Sequence, residues 1–212
     1  MILFLLLIVI KTKIMKSQFL KISFLLISTI LVSTQLNAQE KPFRIGVKTG
    51  FPNVVTGNIE FVTPLVDQRL AFMIDYSKFS FNDQDVSLKY SYFEAGINYY
   101  LKREGHGPYV AISYTNMNVD LTYENVESDE NSGEFGSATA GIGMNTLNIK
   151  LGAKWGGLIY FRPEIGYSFT PLPNTIDIEV NFNNSPSETH VEEVPSIISG
   201  GLIFNIGFGF SF

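Results

Sequence analysis

The chain has 212 residues, of which 45% are hydrophobic, 14% are aromatic and only 17% are charged, and its formal net charge is −5. This composition, rich in Phe, Tyr and Gly, favours β-structure over helix. Cysteine is absent, which excludes disulfides, zinc–thiolate sites, a thiol nucleophile and the lipid-modified cysteine of a lipoprotein.

The N-terminal segment has the pattern of a secretory signal peptide. Lysines are its only charged residues, and the run from Ile22 to Val32 is apolar apart from Ser and Thr. Read from Met15, it has a short basic region, an apolar core and a polar end, with Ala38 at the expected cleavage site. We predict a signal peptide over 1–38, with translation beginning at Met15, and a barrel domain over 39–212. An uncleaved anchor helix is the alternative, and lysines that split the apolar run argue against it.

Loss of that segment makes the remaining chain more acidic. It removes four lysines and no acidic residue, so the net charge changes from −5 to −9. Nucleic acid is therefore excluded as an expected partner, because binding to its phosphates requires a basic surface.

The rest of the chain alternates with period two, and no long stretch has the 3.6-residue period of a helix. Such stretches, separated by turns and polar loops, are typical of an up-and-down antiparallel barrel. We predict an all-β, eight-stranded transmembrane β-barrel. Its strands are expected near Phe43–Phe51, Val54–Val62, Arg69–Ser80, Leu88–Leu101, Tyr109–Val119, Ala140–Ala153, Leu158–Thr170 and Ser196–Phe212.

The links between these strands are predicted to be short at one end of the barrel and long at the other. Short links are expected at 63–68, 102–108 and 154–157, and long ones at 120–139 and 171–195. The link around Pro52 is a short exception among the long ones. With both termini in the periplasm, this alternation fits a barrel of the bacterial outer membrane.

Side-chain parity divides each strand into two faces. One parity is apolar without any charge, as in Phe72, Ile97 and Ile165, and we expect it to face lipid. The residues of the other parity are small or charged, and the charged ones comprise four basic and four acidic residues. Because buried charges require partners, we expect an ion-pair network that fills a narrow lumen and leaves no general solute pore. Its members are Arg44, Lys48, Glu60, Asp75, Glu94, Lys150, Arg162 and Glu164.

Aromatic residues near the strand ends are predicted to mark the two membrane interfaces. The inner interface is expected at Trp155 and Phe212. The outer interface is expected at Phe51, Phe79, Phe81 and Phe169.

The two long links are acidic and contain neither Lys nor Arg. Carboxylates are suitable ligands for calcium or magnesium, but their spacing matches no EF-hand loop. We expect solvated mobile loops, without a metal site or a cofactor, and keep divalent-cation binding as the alternative.

An enzymatic role has one candidate pair of residues. The two histidines, His106 and His190, fall at opposite ends of the predicted barrel, so they cannot share a site. His190 with Ser185 or Ser187 is the pair that an acyl-processing enzyme would use. Loop positions give poor catalytic geometry, and we predict that the protein is not an enzyme.

The chain resembles small outer-membrane β-barrel proteins of the OmpA and OmpX type and, more closely, the outer membrane protein β-barrel domain of Bacteroidetes. The resemblance lies in the opening 43–48, the hairpin 92–114, the signal end 36–39 and the alternating tail that ends in Phe212. It implies an outer-membrane location and a monomer in contact with outer-membrane lipid and lipopolysaccharide. It also implies that Phe212 is the signal read by the barrel assembly machinery.

Three functions remain open on the sequence alone. The leading hypothesis is a structural or surface-interaction barrel of the outer membrane. The second is a soluble lipocalin-like barrel that binds a small apolar ligand, which would turn its apolar face inward and its charges outward. The third is the acyl-processing enzyme.

Overall fold

The chain folds into one antiparallel sheet that closes into a ring. The computed structural model describes residues 41–127, 135–182 and 186–212. Within those residues, no helix has the length and apolar character needed to cross a membrane. The strands are β1 Phe43–Phe51, β2 Val54–Val62, β3 Leu70–Asp83, β4 Val86–Tyr100, β5 Gly107–Glu127, β6 Phe135–Gly156, β7 Ile159–Ser168, β8 Thr175–Phe182, β9 Glu188–Glu193 and β10 Leu202–Ser211.

Eight of these strands form the ring, in the order β5-β4-β3-β2-β1-β10-β7-β6, and the pairing of β5 with β6 closes it. The predicted eight-stranded antiparallel up-and-down barrel is thereby confirmed. The strands β8 and β9 form a hairpin that pairs with β6 outside the ring. Phe43 and Phe212 exchange backbone hydrogen bonds at one end of the barrel, which we call the terminal end; we call the opposite end the loop end.

The register around the ring determines the tilt of the strands. Following paired residues once around the barrel from Ile159 leads back to β7 at Phe169, ten residues further along the strand. A shear of ten residues over eight strands corresponds to a tilt of roughly 40°. The paired residues on this path are Ile159, Phe210, Ile45, Ile59, Ile74, Ala95, Tyr114, Leu147 and Phe169.

The predicted long links differ from the structure because both contain strands. The strands β5 and β6 continue through most of 120–139 and remain paired from Asp120 to Glu127. The segment 171–195 contains the hairpin β8–β9. Apolar residues alternate with polar ones in these segments too, as in Ile176, Ile178 and Val180. The expectation of loops was wrong because it relied on the acidic composition.

Two further boundaries were predicted wrongly. The last barrel strand begins at Leu202, because a single helical turn at Ser196–Ser199 precedes it. The link between β3 and β4 contains only Gln84 and Asp85, so the links at the loop end are not uniformly long.

One side of the barrel therefore rises above the other at the loop end. The upper parts of β3 to β6 extend beyond the point where β1, β2, β7 and β10 end, and β8 and β9 widen this extension. We call this extension the wall; it comprises 77–92, the part of β5 from 115, the part of β6 up to 145, and the hairpin β8–β9.

Inward-facing glycines leave room for tyrosine rings to cross the interior. A Cβ at Gly152 would lie 2.5 Å from the Tyr109 hydroxyl, and one at Gly46 would lie 2.7 Å from the Tyr160 hydroxyl. Both separations are shorter than side-chain contacts allow, and both tyrosines are buried. The narrow barrel therefore accommodates the Tyr109 and Tyr160 rings because nearby strands have glycine where a side chain would collide with them.

This arrangement predicts a position-specific effect of adding one methyl group. Gly152→Ala places its methyl against the buried Tyr109 ring and should destabilise the barrel by about 1 to 3 kcal/mol through overpacking. Gly57→Ala is the matched control, because its Cβ would face outward with its nearest neighbour 3.7 Å away. Urea unfolding in lipid vesicles measures both, and equal stability of the two variants would contradict the packing described here.

Candidate functional site

The structure places all eight predicted charged residues in the barrel interior. They lie on the inward face of six strands, and each is at most 5% exposed. They form ion pairs with one another in two clusters that occupy successive levels along the barrel axis.

The first cluster is centred on Glu60, near the terminal end. Arg44 forms an ion pair with one carboxylate oxygen of Glu60, and Arg162 Nη2 lies 2.8 Å from the other. The Tyr100 hydroxyl donates to Glu60 at 3.0 Å, and the Asn98 amide donates at 2.5 Å. Both carboxylate oxygens therefore have charged and neutral donors, which is what a buried charge requires.

Tyrosine rings complete this first cluster. The Arg44 guanidinium lies 5.3 Å from the Tyr100 ring centroid, and the Arg162 guanidinium lies 5.2 Å from that of Tyr160 and 5.7 Å from that of Tyr109. Such contacts stabilise a cation that is removed from water. They compensate for the fact that two arginines share one carboxylate.

The second cluster pairs two lysines with three carboxylates. Lys48 Nζ lies 2.8 Å from Asp75 and 3.0 Å from Glu164. Lys150 forms an ion pair with Glu94 and lies 3.6 Å from Glu164. Glu164 thus joins the two lysines into one group.

Neutral donors complete the coordination of these carboxylates. The Tyr109 hydroxyl donates to Glu164 at 2.5 Å, and the Tyr92 hydroxyl donates to Glu94 at 2.7 Å. Ser113 also donates to Glu94. Each carboxylate therefore accepts hydrogen bonds from both charged and neutral groups.

Asn58 connects the two clusters. Its amide group donates to Asp75, and its side-chain oxygen accepts from Arg162 Nη1 at 3.3 Å. The first cluster has one more positive than negative charge, and the second has one more negative than positive charge. These eight side chains sum to zero charge, while Lys154, 3% exposed and 5.1 Å from the Tyr160 ring centroid, is a further buried cation that neither cluster pairs.

Sequence reasoning missed the uncharged half of this network. The missed hydrogen-bonding residues face the interior at alternate positions, as the predicted charged residues do. The alternation of side chains along each strand could therefore have identified them. They were overlooked because Tyr, Asn and Ser occur on both faces of these strands. The missed residues are Asn58, Tyr92, Asn98, Tyr100, Tyr109, Ser113 and Asn205.

Apolar layers lie at both ends of the barrel interior. At the terminal end, Val62, Ala71 and Ala111 pack with the rings of Tyr100 and Tyr109. At the loop end, a second layer forms above the lysine cluster, and its fully buried members are Tyr90, Tyr92, Met117, Met144 and Leu172. The polar network therefore lies between two hydrophobic layers.

The outward face of the ring carries an apolar belt, and none of its described side chains is charged. On β10 the belt extends from Leu202 to Phe212, about 33 Å along the strand and about 25 Å along the axis at the tilt given above. This matches the apolar band of transmembrane barrels. Exposed members of the belt are Phe43, Ile45, Val47, Ile59, Phe72, Ile74, Tyr76, Phe93, Ile97, Ile112, Leu147, Ile149, Leu151, Ile159, Ile165, Phe204, Ile206, Phe208 and Phe210.

The belt ends abruptly at the base of the wall. On β5 the outward residue after Tyr114 is Asn116, whose amide donates to Asn145 on β6 at 2.7 Å. On β3 the outward residue after Tyr76 is Lys78, which is exposed. On β4, between these two strands, the outward residue after Phe93 is Ser91, so the change from apolar to polar occurs at similar levels on β3, β4 and β5, as a membrane boundary requires.

The predicted outer aromatic girdle is only partly correct. Phe169 faces outward and is exposed, and so are Trp155 and Phe212 near the terminal end. Phe79 and Phe81 instead lie on the inward face of the wall, since they pair with Tyr90 and Leu88. Phe79 stacks on Tyr90 with ring centroids 4.9 Å apart, so these two residues do not mark the lipid boundary.

The acidic residues of the wall form no metal centre within the described ranges, where no group of three or more His, Asp or Glu side chains is close enough to hold an ion. The described residues of the wall and its links contain two lysines, Lys78 and Lys89, and ten acidic residues. The acidic residues are Asp83, Asp85, Asp120, Glu124, Glu127, Asp177, Glu179, Glu188, Glu192 and Glu193.

The candidate catalytic pair is not assembled in the part that the structure describes. The Ser187 hydroxyl donates to Asn181 at 2.7 Å, while His190 lies 3.4 Å from Glu188. Ser185 lies outside the described residues. His106 lies in the link after β4, where partial burial and the charges of nearby lysines lower its pKa. The absence of enzymatic activity stays a prediction.

Comparisons with known proteins give distant structural likenesses. No family model matches the chain, and no curated protein sequence matches it significantly. The crystal structure of CarO from Acinetobacter baumannii aligns at 11% identity and a TM-score of 0.44, over 82% of this chain and 98% of CarO. CarO2 from the same organism aligns at 15% identity and a TM-score of 0.42, over 82% and 100% of the two chains. The N-terminal barrel domain of Pseudomonas aeruginosa OprF aligns at 14% identity and a TM-score of 0.36, over 82% and 100%.

The function of this chain is therefore derived from its own side chains. Membership of the Bacteroidetes barrel family stays a prediction.

The network predicts a graded response to loss of one charge. Glu60→Gln leaves two buried guanidinium groups without an anion and should cost about 3 to 5 kcal/mol. Glu94→Gln should cost less, about 1 to 3 kcal/mol, because Lys150 keeps Glu164 as a partner. Thermal unfolding in lipid vesicles measures both.

The exposed ion pair between Asp67 and Arg103 supplies the control. Asp67→Asn should change stability by less than about 1 kcal/mol, because that pair is solvated. Unchanged stability in Glu60, Glu94 and Arg162 variants would contradict a structural role of the network.

Proposed function

We propose that this protein is an integral barrel of the bacterial outer membrane with a closed polar interior. It acts as a structural or surface-interaction protein and not as a general solute pore. The observation that carries the proposal is the uncharged apolar belt, whose height of about 25 Å equals the apolar band of outer-membrane barrels. The alternating exposure on β10, in which every second residue is exposed, supports the same orientation.

The closed interior supports the absence of a pore. Eight strands enclose a space that side chains alone can fill. Here two hydrophobic layers and a neutral network occupy that space, and the network residues are almost fully buried. A permeating solute would have to displace buried ion pairs.

The soluble lipocalin-like alternative requires the opposite orientation of side chains. A lipocalin places apolar residues around its axis and charges outside. In this barrel Arg162 and Glu60 are completely buried, while Ile165 is 62% exposed. The geometry therefore favours lipid over water around the ring.

The proposed partners follow from the levels of the outward side chains. Outer-membrane lipid covers the belt, and Lys78 and Lys89, which face outward just above it, are placed to contact the phosphates of lipopolysaccharide. Recognition of Phe212 by the barrel assembly machinery and a monomeric state complete the proposal. No cofactor takes part in it.

A single charge in the belt tests the membrane placement. Ile206→Arg puts a cation in the middle of the belt. It should destabilise the folded barrel in lipid vesicles by about 2 to 4 kcal/mol. Thr122→Arg faces the same side above the belt and should have little effect. Equal effects of the two substitutions would contradict the proposal.

The same vesicles report on permeability. Vesicles that contain the folded wild-type protein and a trapped small dye should leak no faster than vesicles without protein. Rapid release of the dye would show that the interior is an open channel.

A further inference from the structure

The two faces of the sheet exchange their polarity at the base of the wall. Within the belt, the inward face is polar and the outward face is apolar. In the wall, the outward face is polar, with Lys89, Asn118 and Asp120, whereas the inward face is apolar. The strands are continuous across this boundary, so the exchange reflects different surroundings of the two parts.

The inward face of the wall is a continuous apolar surface. One row of paired residues crosses five strands, and neighbouring members lie directly opposite each other. The row consists of Phe81, Leu88, Leu121, Ala140 and Ile178. We call this surface, together with Phe79 and Tyr123, the concave face.

The concave face is exposed over a width that exceeds a small-molecule site. Phe81 is 54% exposed, Leu121 is 43% exposed and Tyr123 is 47% exposed. Five strands spaced at about 4.8 Å span roughly 20 Å. Contiguous apolar surfaces of this kind, open to water, mark sites of interaction.

Polar residues and glycine make up the sequence between β5 and β6 and the stretch 183–185 between β8 and β9. The link 128–134 and the link 183–185 contain only Ser, Asp, Glu, Asn and Gly. Side chains of these types have no large apolar surface with which to cover the row.

The edge of the concave face indicates the charge of its occupant. Glu188 and Glu192 on β9 pair with Val180 and Ile176 on β8, so their carboxylates lie on the same face as the apolar row, with His190 between them and 3.4 Å from Glu188. The described residues of the wall include ten acidic side chains and two lysines. A ligand that covers the apolar row thus meets carboxylates at one edge.

We propose that the concave face binds a cationic amphipathic helix, with the apolar side of the helix on the row from Phe81 to Ile178 and its basic residues beside Glu188 and Glu192. A surface about 20 Å wide accommodates a helix of about 14 residues. Apolar anchors in an open groove are the usual mode of helix recognition. The inference names the partner class for the proposed surface role and rests on it, because the wall must project from the bilayer.

Binding of a designed peptide tests the proposal. The probe is a 14-residue helix of Leu and Lys with one apolar side, and the comparison peptide has Glu in place of Lys. The full chain is held in phosphatidylcholine nanodiscs, and the signal of empty discs is subtracted because such peptides also bind lipid. We expect the Leu–Lys peptide to bind at least tenfold more tightly than the Leu–Glu peptide.

Substitutions on the two faces of the same strands separate the contributions of the apolar row and of the carboxylates to peptide binding. Leu121→Gln should weaken binding at least tenfold, whereas Thr122→Gln, on the opposite face of β5, should leave it unchanged. Removing both Glu188 and Glu192 carboxylates by Gln substitution should weaken binding and reduce its salt dependence. Glu179→Gln removes one carboxylate from the opposite face of β8 and should have no effect.

The outcomes distinguish the inference from the proposed function. Heat-dependent migration on a gel reports whether each variant has formed the barrel in the disc. If the wild type does not insert, the proposed function fails and the inference fails with it. If it inserts but binds both peptides equally, or if Leu121→Gln and Thr122→Gln behave alike, only the inference is overturned. Self-association lost in Leu121→Gln would show that a second copy is the occupant, and would also overturn it.

Discussion

The neutral ion-pair network around Glu60 and Glu164 is the interaction on which the rest of the structure depends. In the proposed membrane location, hydrocarbon outside the ring forces every ionisable side chain of the spanning strands toward the axis, where there is no room for bulk water. Such charges are tolerated only if each has a partner and the sum is close to zero. Eight charged residues meet this condition in two clusters of opposite excess charge, which Asn58 links by hydrogen bonds, and the ninth buried charge, Lys154, lies over the Tyr160 ring.

Close packing follows from the same constraint. Tyr109 and Tyr160 fit into the narrow barrel because glycine occupies nearby positions on neighbouring strands, at Gly152 and Gly46. The interior is therefore a solid polar core with hydrophobic layers above and below it. In the proposed function, this core closes the barrel to solutes despite its many inward charges. The wall shows the converse, because outside the belt the same strands turn apolar residues inward and polar residues outward.

The sequence predicted the ring strands and the side on which each charge lies, because both depend on period two alone. The bounds of β1 and β2 and the burial of Arg162 follow directly from that pattern. The partners within the ion-pair network could not be predicted. The alternation shows which face a side chain is on, but it does not show which residue of the neighbouring strand lies beside it. The bridging role of Asn58 is therefore visible only with the register.

The wall was missed for a different reason. Acidic residues suggested loops at 120–139 and 171–195, although the alternation continued through Leu121 and Ile178. On β5 and β8 the alternation has apolar residues on the inner face, as in Leu121 and Ile178, and the sequence contained that signal of a continuing sheet. The inward position of Phe81 depends on its pairing with Leu88, which aromatic composition alone does not reveal.

Position-resolved contact with lipid tests the central claim most directly. The chain has no cysteine, so single cysteines at Ile149, Phe208 and Asn118 can each carry a fluorophore in vesicles made with brominated lipid. The account predicts strong quenching at Ile149 and Phe208, which lie in the belt, and little at Asn118, which faces the same side above it. Equal quenching at all three positions, or none at Ile149, would contradict an orientation with apolar side chains toward lipid.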